Sequence, residues 1–189
     1  DDDFTKGNPD LKPETGWYSD ITLEQGLLGG KLFTSASWFQ WDITDKISWA
    51  EDPTQPSPTG WGNYWTPTNV DTYQANGWEL SAKIGPYYAL QADLALTLLD
   101  AEEELAPGIT RPARYSPDTQ IKCQLSHFSN FGLTSAVTAR YVSSRPGYYA
   151  TDTARNAEIE LNSYWTVDLK LEQTLADHWK ISLLAANLL

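Results

Sequence analysis

Tyr164-Trp165-Thr166-Val167-Asp168-Leu169-Lys170-Leu171-Glu172-Gln173-Thr174 alternates in polarity along most of its length. Trp165, Val167, Leu169 and Leu171 hold one parity, and Thr166, Asp168, Lys170 and Glu172 hold the other. Successive side chains of a strand point to opposite faces, whereas a helix repeats about every 3.6 residues. This stretch is therefore a strand with one apolar face and one hydrated face.

The same signature spreads in both directions. Residues 179–189 set Trp179, Ile181 and Leu183 against Lys180 and Ser182. Upstream, 132–144 places Leu133, Val137, Ala139 and Tyr141 opposite Thr134, Thr138 and Arg140, and 119–127 sets Ile121, Cys123 and Leu125 against Gln120, Lys122, Gln124 and Ser126. In 88–103, Leu90, Ala92, Leu94, Leu96 and Leu98 oppose Gln91, Asp93 and Thr97, and in 69–84 Trp78, Leu80, Ala82 and Ile84 oppose Gly77, Glu79, Ser81 and Lys83. Residues 31–49 carry aromatics on both parities at Trp38, Phe39 and Trp41, so their face is ambiguous. From Thr15, residues Trp17, Ser19, Ile21 and Leu23 alternate with Tyr18, Asp20, Thr22 and Glu24.

The links separate two ways of using such strands. Tight turns fall at 27–30, 85–87, 129–131 and 175–178, and long links at 51–67, 104–116 and 146–160, in strict alternation. An up-and-down sheet then carries its tight turns at one end and its long loops at the other, as membrane barrels do. A sandwich built from Greek keys mixes link lengths. Several segments also exceed the ~10 residues that a tilted strand needs to cross a bilayer. The expected fold is all-β: a transmembrane antiparallel up-and-down barrel, here a fragment of eight strands of a larger barrel. A soluble sandwich with its apolar faces turned inward is the rival.

Composition narrows the partners. The chain is 41% hydrophobic, with nine Trp and ten Tyr against five Phe, and no run approaches the ~20 apolar residues of a spanning helix. Trp and Tyr are the rings favoured where apolar matter meets water; here they gather beside the tight turns (Trp179) and at the long links (Trp49, Trp61, Trp65, Tyr148, Tyr149). Trp61, Tyr64 and Trp65 also suit a sugar platform, as in a secreted carbohydrate-binding β-domain. The net charge of −12 excludes a nucleic-acid partner, which needs clustered Lys and Arg. Cys123 is the single cysteine, so no internal disulfide forms, and it reads as a small apolar filler. No catalytic set is evident, and no cofactor or metal is expected: His127 and His178 stand beside turns without ligand spacing, and Asp100, Glu102, Glu103 and Glu104 read as a solvated rim.

Gly7-Asn8-Pro9-Asp10-Leu11-Lys12-Pro13-Glu14 resembles the GNPxLKPE segment of TonB-dependent outer-membrane receptors. Ala75-Asn76-Gly77-Trp78-Glu79-Leu80 resembles that family's GxE strand, with Trp78 departing from its usual residue, and Ala185-Ala186-Asn187-Leu188-Leu189 its VxNLF element. The resemblance runs over the whole chain and leans to the cobalamin and catecholate-siderophore branches. It implies that residues 1–189 are a C-terminal segment of a 22-stranded barrel, with plug domain and final strand absent. It further implies a bacterial outer-membrane location, active uptake of cobalamin or a ferric siderophore, and a partnership with TonB through the plug. Lipid, lipopolysaccharide and the remaining strands of the barrel would be the other partners; a passive porin is the alternative transporter.

Two residue groups follow. Glu79, Gln91, Asp93, Lys122, Arg140, Asp168, Lys170 and Glu172 would line the interior and face a plug, or simply form a wet wall with charges paired across strands. Trp61, Tyr64, Trp65, Arg111, Arg114, Tyr115, Arg145, Tyr148 and Tyr149 at the long links are the candidates for ligand capture, since rings and guanidinium groups suit a bulky anionic chelate. The same side chains also suit bilayer anchoring or lipopolysaccharide contact.

Overall fold

Tight turns between alternating segments dictate antiparallel neighbours, and the chain forms them. The computed structural model describes residues 3–58, 60, 62–106, 109–149, 157–176 and 178–189. The strands are β1 (Thr15–Leu27), β2 (Leu32–Pro56), β3 (Asn63–Tyr87), β4 (Leu90–Ala106), β5 (Ile109–Pro112), β6 (Thr119–Phe128), β7 (Leu133–Val142), β8 (Arg145–Tyr149), β9 (Ala157–Leu161), β10 (Tyr164–Leu175) and β11 (Trp179–Ala185). The main sheet runs β1-β2-β3-β4-β6-β7-β10-β11 with β5 added to β4, and β8 pairs with β9 separately. Its main path is thus the eight strands expected, in up-and-down order.

Three links differ from expectation. β2 and β3 each run 25 residues and absorb most of 51–67; β5 forms inside 104–116, and β8 and β9 occupy the two ends of 146–160 and reach one residue beyond each. Thr, Tyr and Trp fill Thr54, Tyr64, Trp65, Thr66 and Thr68, and such residues favour a half-exposed pleated surface. These extensions lack an apolar row, so period-two reading passes over them. The turn expected at 85–87 falls instead at Tyr88 and Ala89, which take φ of 48° and 68°.

The chain divides into two compact units, one of Asp1–Ser19, Gln40–Ala75 and Ala101–Ala113, the other of Asp20–Phe39, Asn76–Asp100 and Arg114–Leu189.

In the second unit the register puts like with like. Leu94 pairs with Cys123, Cys123 with Ala139, Leu125 with Val137, Val137 with Leu169 and Leu171 with Leu183. On the other parity Asp93 meets Gln124, Gln124 meets Thr138, Thr138 meets Asp168 and Glu172 meets Ser182. Phe39 belongs to the wet face of β2, because the ideal Cβ of Gly77 would lie 2.7 Å from Phe39 Cζ and 2.3 Å from Leu98 O. Gly77 is the recess that admits the ring.

In the first unit, Tyr18 and Trp41 meet edge to face, centroids 5.3 Å apart. Asp45, with φ of 54°, interrupts the alternation of β2. That irregularity, together with the Phe39 ring on the wet face, explains why the parity of 31–49 was unreadable.

No apolar core of the soluble kind exists among the described residues: the buried apolar ones are Ala75, Ala101 and Ala113. Trp17 is 84% exposed, and Ile21, Leu23, Leu94, Leu125, Val137, Trp165, Ile181 and Leu183 are exposed too. Each large apolar side chain left in water forgoes ~1.5–3 kcal/mol of burial. A sandwich with inward apolar faces is therefore not what this chain forms.

Candidate functional site

The wet face of the second unit is a network of paired charges. Lys122 lies directly opposite Arg140 in the β6–β7 register, an unfavourable like-charge pair. Arg140 instead forms an ion pair with Asp168 on β10. Asp168 Oδ1 also accepts from the Asn187 amide at 3.0 Å, which ties the segment after β11 to the wall. Glu172 is held from both sides, by Lys180 at 2.7 Å and Lys170 at 3.0 Å. Thr138 donates to Gln124 (3.1 Å), which donates to Ser126 (3.2 Å). Gln91 donates to Asp93 at 2.7 Å, and a recess of about 380 Å³ opens between Gln91, Asp93, Lys122 and Gln124. Glu79 stands exposed on β3. Seven of the eight interior-wall residues read from the sequence thus share a parity across β4, β6, β7 and β10.

The long-link residues divide between the units. In the first, Trp65 backbone bonds to the N-terminal arm: Lys6 N to Trp65 O at 2.9 Å and Trp65 N to Phe4 O at 2.8 Å. Tyr64 is half-buried beside it. Arg111 on β5 is committed to Glu103 on β4, Nε at 2.7 Å and Nη2 at 2.6 Å from Oε1. Of the acidic run, Glu104 accepts from Thr72 at 3.0 Å, and no metal-binding group of His, Cys, Asp and Glu forms among the described residues.

The GNPDLKPE arm is fastened in this unit. Asn8 Oδ1 accepts from Asp10 N at 2.9 Å, closing a turn, while Asn8 Nδ2 donates to Pro67 O at 3.0 Å. Asn69 Oδ1 accepts from Lys12 N, and Asn69 Nδ2 donates to Lys12 O, both at 2.9 Å, and to Asp45 O at 2.6 Å. Between the arm and β2 lies a cleft of about 570 Å³ lined by Lys6, Asp10, Glu51, Asp52, Gln55 and Thr68. Asp52 accepts from Thr54 Oγ1 (2.6 Å), Thr54 N (2.9 Å) and Gln55 Nε2 (2.7 Å). The Thr54 hydroxyl above all, then the Thr54 amide, holds its carboxyl below the usual carboxylate range.

In the second unit, Tyr115 N donates to Pro146 O at 2.7 Å, Arg114 O accepts from Ser116 Oγ at 3.3 Å, and the Arg145 guanidinium lies 5.5 Å over the Tyr164 ring. Tyr148 and Tyr149 complete β8, their side chains outside the described set, and Trp61 lies outside the described residues. Nothing in the sequence singles out Asn69 or Tyr164: Asn69 ends the polar run Thr66-Pro67-Thr68-Asn69, where nothing marks a clamp, and Tyr164 reads as the first residue of a strand.

Residues 1–188 match the family model described as TonB dependent receptor-like, beta-barrel. Over 78 residues, 41% of this chain and 11% of that protein, the sequence is 37% identical to the vitamin B12 transporter BtuB of Vibrio vulnificus (strain YJ016). The fold is similar to the ferric-catecholate import receptor Fiu from K12 E. coli (TM-score 0.66, 20% identity, 96% of this chain, 24% of that chain). It is also similar to the ferripyoverdine receptor of the outer membrane of Pseudomonas aeruginosa (TM-score 0.68, 19% identity, 94% and 24%). The chain spans about a tenth of that curated relative (11%) and about a quarter (24%) of these solved receptors.

Proposed function

The chain belongs to the TonB dependent receptor-like β-barrel family, and from that premise we propose that it forms part of the wall of an outer-membrane receptor for a bulky metal chelate. Cobalamin and ferric siderophores are the substrate classes, in keeping with the vitamin B12 transporter and the ferric-catecholate receptor among its relatives. The chelate is captured at the long links and passed inward past a plug, with TonB supplying the energy.

One observation carries this reading. Exposed Leu94, Leu125, Val137, Ile181 and Leu183 share one face, while the other is laced by Arg140–Asp168 and Lys170–Glu172–Lys180. That is the polarity of a wall between lipid and a hydrated interior. β1 and β11 each have one neighbour in the sheet, and an unpaired backbone group in lipid costs several kcal/mol. Further strands of the same barrel therefore cover both edges.

The test is uptake. Cells that lack the intact protein are compared with complemented cells for accumulation of labelled cobalamin and ferric siderophores, with TonB present and with TonB deleted. Loss of one chelate's uptake in both deletions supports the reading. Unchanged uptake of every chelate, or uptake that persists without TonB, overturns it.

A further inference from the structure

Arg145 opens β8, and its guanidinium stacks over Tyr164 with Cζ 5.5 Å from the ring centroid. Stacking leaves the in-plane N–H groups free to donate. Yet among the described residues no partner reaches Arg145 Nη1, and that nitrogen is buried. A buried donor without an acceptor is costly and rare, and charged donors most of all. Such a group marks the place of an acceptor supplied from elsewhere.

The surroundings are built to hold it. Tyr115 takes φ of 59°, a left-handed conformation that tyrosine seldom adopts, and its amide is tied to Pro146 O at 2.7 Å. Its ring reaches Gly147: a Cβ there would lie 3.4 Å from Tyr115 Cε1 and 3.0 Å from Leu161 Cγ. Gly147 thus lets Tyr115 and Leu161 close on the backbone beside Arg145. Strain kept at Tyr115, in the link before β6, and a charged donor kept unsatisfied at the start of β8 occur on two segments tied together by the Tyr115–Pro146 bond.

The face decides between two sources of acceptor. Tyr164 pairs with Val142, and Trp165 with Tyr141, so Tyr164 shares the parity of Thr166, Asp168 and Lys170. The ring under Arg145 lies on the wet side of the sheet, opposite the row that would meet lipid.

We infer that Arg145, seated on Tyr164 and flanked by Tyr115, is a subsite for an anionic oxygen of the transported chelate: a phosphodiester, carboxylate or catecholate oxygen received by Nη1. The inference deepens the transport reading and rests on it for the identity of the ligand.

Two measurements on the intact, detergent-extracted protein test it. The first is equilibrium binding of cyanocobalamin and of a ferric tris-catecholate to the native protein, Arg145→Gln and Arg145→Lys. Loss of one charge-assisted hydrogen bond weakens binding of the cognate chelate by about ten- to hundredfold in Arg145→Gln, with partial recovery in Arg145→Lys. The second is modification of Arg145 by phenylglyoxal, followed by peptide mass spectrometry, with and without inorganic phosphate; phosphate protects the residue. Co-purifying lipopolysaccharide stays unchanged in Arg145→Gln. Chelate binding within about twofold of native, absence of phosphate protection, or loss of lipopolysaccharide with intact chelate affinity overturns the subsite. If the native protein binds neither chelate, the transport reading fails, and phosphate protection alone then decides for or against the anion site.

Discussion

Asn69 grips the backbone of Lys12 from both sides: its carboxamide oxygen accepts from Lys12 N and its nitrogen donates to Lys12 O, each at 2.9 Å. The same nitrogen reaches Asp45 O at 2.6 Å. A carboxamide mimics a peptide unit, so the arm is paired to β3 as though by one rung of a sheet. Asn69→Ala removes all three bonds and Asn69→Asp the two donated ones. Each is expected to loosen the arm by about 1–3 kcal/mol, seen as faster hydrogen exchange at Lys12 and new proteolysis between residues 6 and 14. Unchanged protection in Asn69→Ala would mean that the prolines alone hold the arm.

Gly77 has no room for a side chain, since its Cβ would lie 2.3 Å from Leu98 O and 2.7 Å from Phe39 Cζ. Gly77→Ala therefore pushes β3 from β4 or tilts the Phe39 ring, at a cost of about 1–3 kcal/mol. Heat-modifiable gel mobility of the intact protein measures it. Phe39→Ala in the same chain relieves the ring contact but not the carbonyl contact, so rescue is partial.

Much of this architecture is legible from the chain. Eight alternating segments gave the eight strands of the main path, and the parity of Gln91, Lys122, Arg140 and Glu172 gave the wet face. The illegible parts have physical causes. Phe39 is a ring on a hydrated face, admitted by the recess at Gly77; Trp41 packs edge to face on Tyr18, the irregularity at Asp45 follows, and none of these leaves a periodic trace. Beyond Trp49 in β2 and before Asn69 in β3 the sequence carries no apolar row, so alternation has nothing to report there. Of the proposed capture residues, Arg111 is already committed to Glu103, which charge pattern alone cannot tell apart from Arg145 with its unsatisfied nitrogen.

Asp52 gives a pH dependence outside the strand cores. Its carboxyl is held below the ordinary range by Thr54 and Gln55. A depressed folded pKa stabilises above the unfolded value and is lost as pH falls through the folded one. The bonds from the Asp52 carboxylate to Thr54 and Gln55, near the end of β2, are expected to stay closed at neutral pH and to open in acid, below the usual carboxylate range. Exchange protection at Thr54 N, corrected for intrinsic rate, should fall in that window. Asp52→Asn should lower that protection at neutral pH and remove its acid dependence.

The two faces should answer a charge oppositely. Val137→Arg and Leu183→Arg put a guanidinium on the apolar row and are expected to cost about 2–4 kcal/mol near a bilayer midplane, less toward an interface. Ser182→Arg, one residue away and opposite Glu172, should change stability by less than about 1 kcal/mol. Unfolding of the intact protein in lipid vesicles measures all three.

Cys123 gives the most direct test, because it lies between Leu94 and Ala139 on the apolar face while its neighbour Gln124 lies between Asp93 and Thr138. Intact protein in outer-membrane vesicles is treated with a membrane-impermeant and a bilayer-soluble maleimide, and the peptide carrying 121–125 is read by mass spectrometry. The native thiol should react with the bilayer-soluble reagent and be spared by the polar one. A cysteine moved to the next position, in Cys123→Ser with Gln124→Cys, should show the reverse once the interior is opened to solvent. Equal labelling of Cys123 by the polar reagent would contradict a wall with lipid on one side and water on the other.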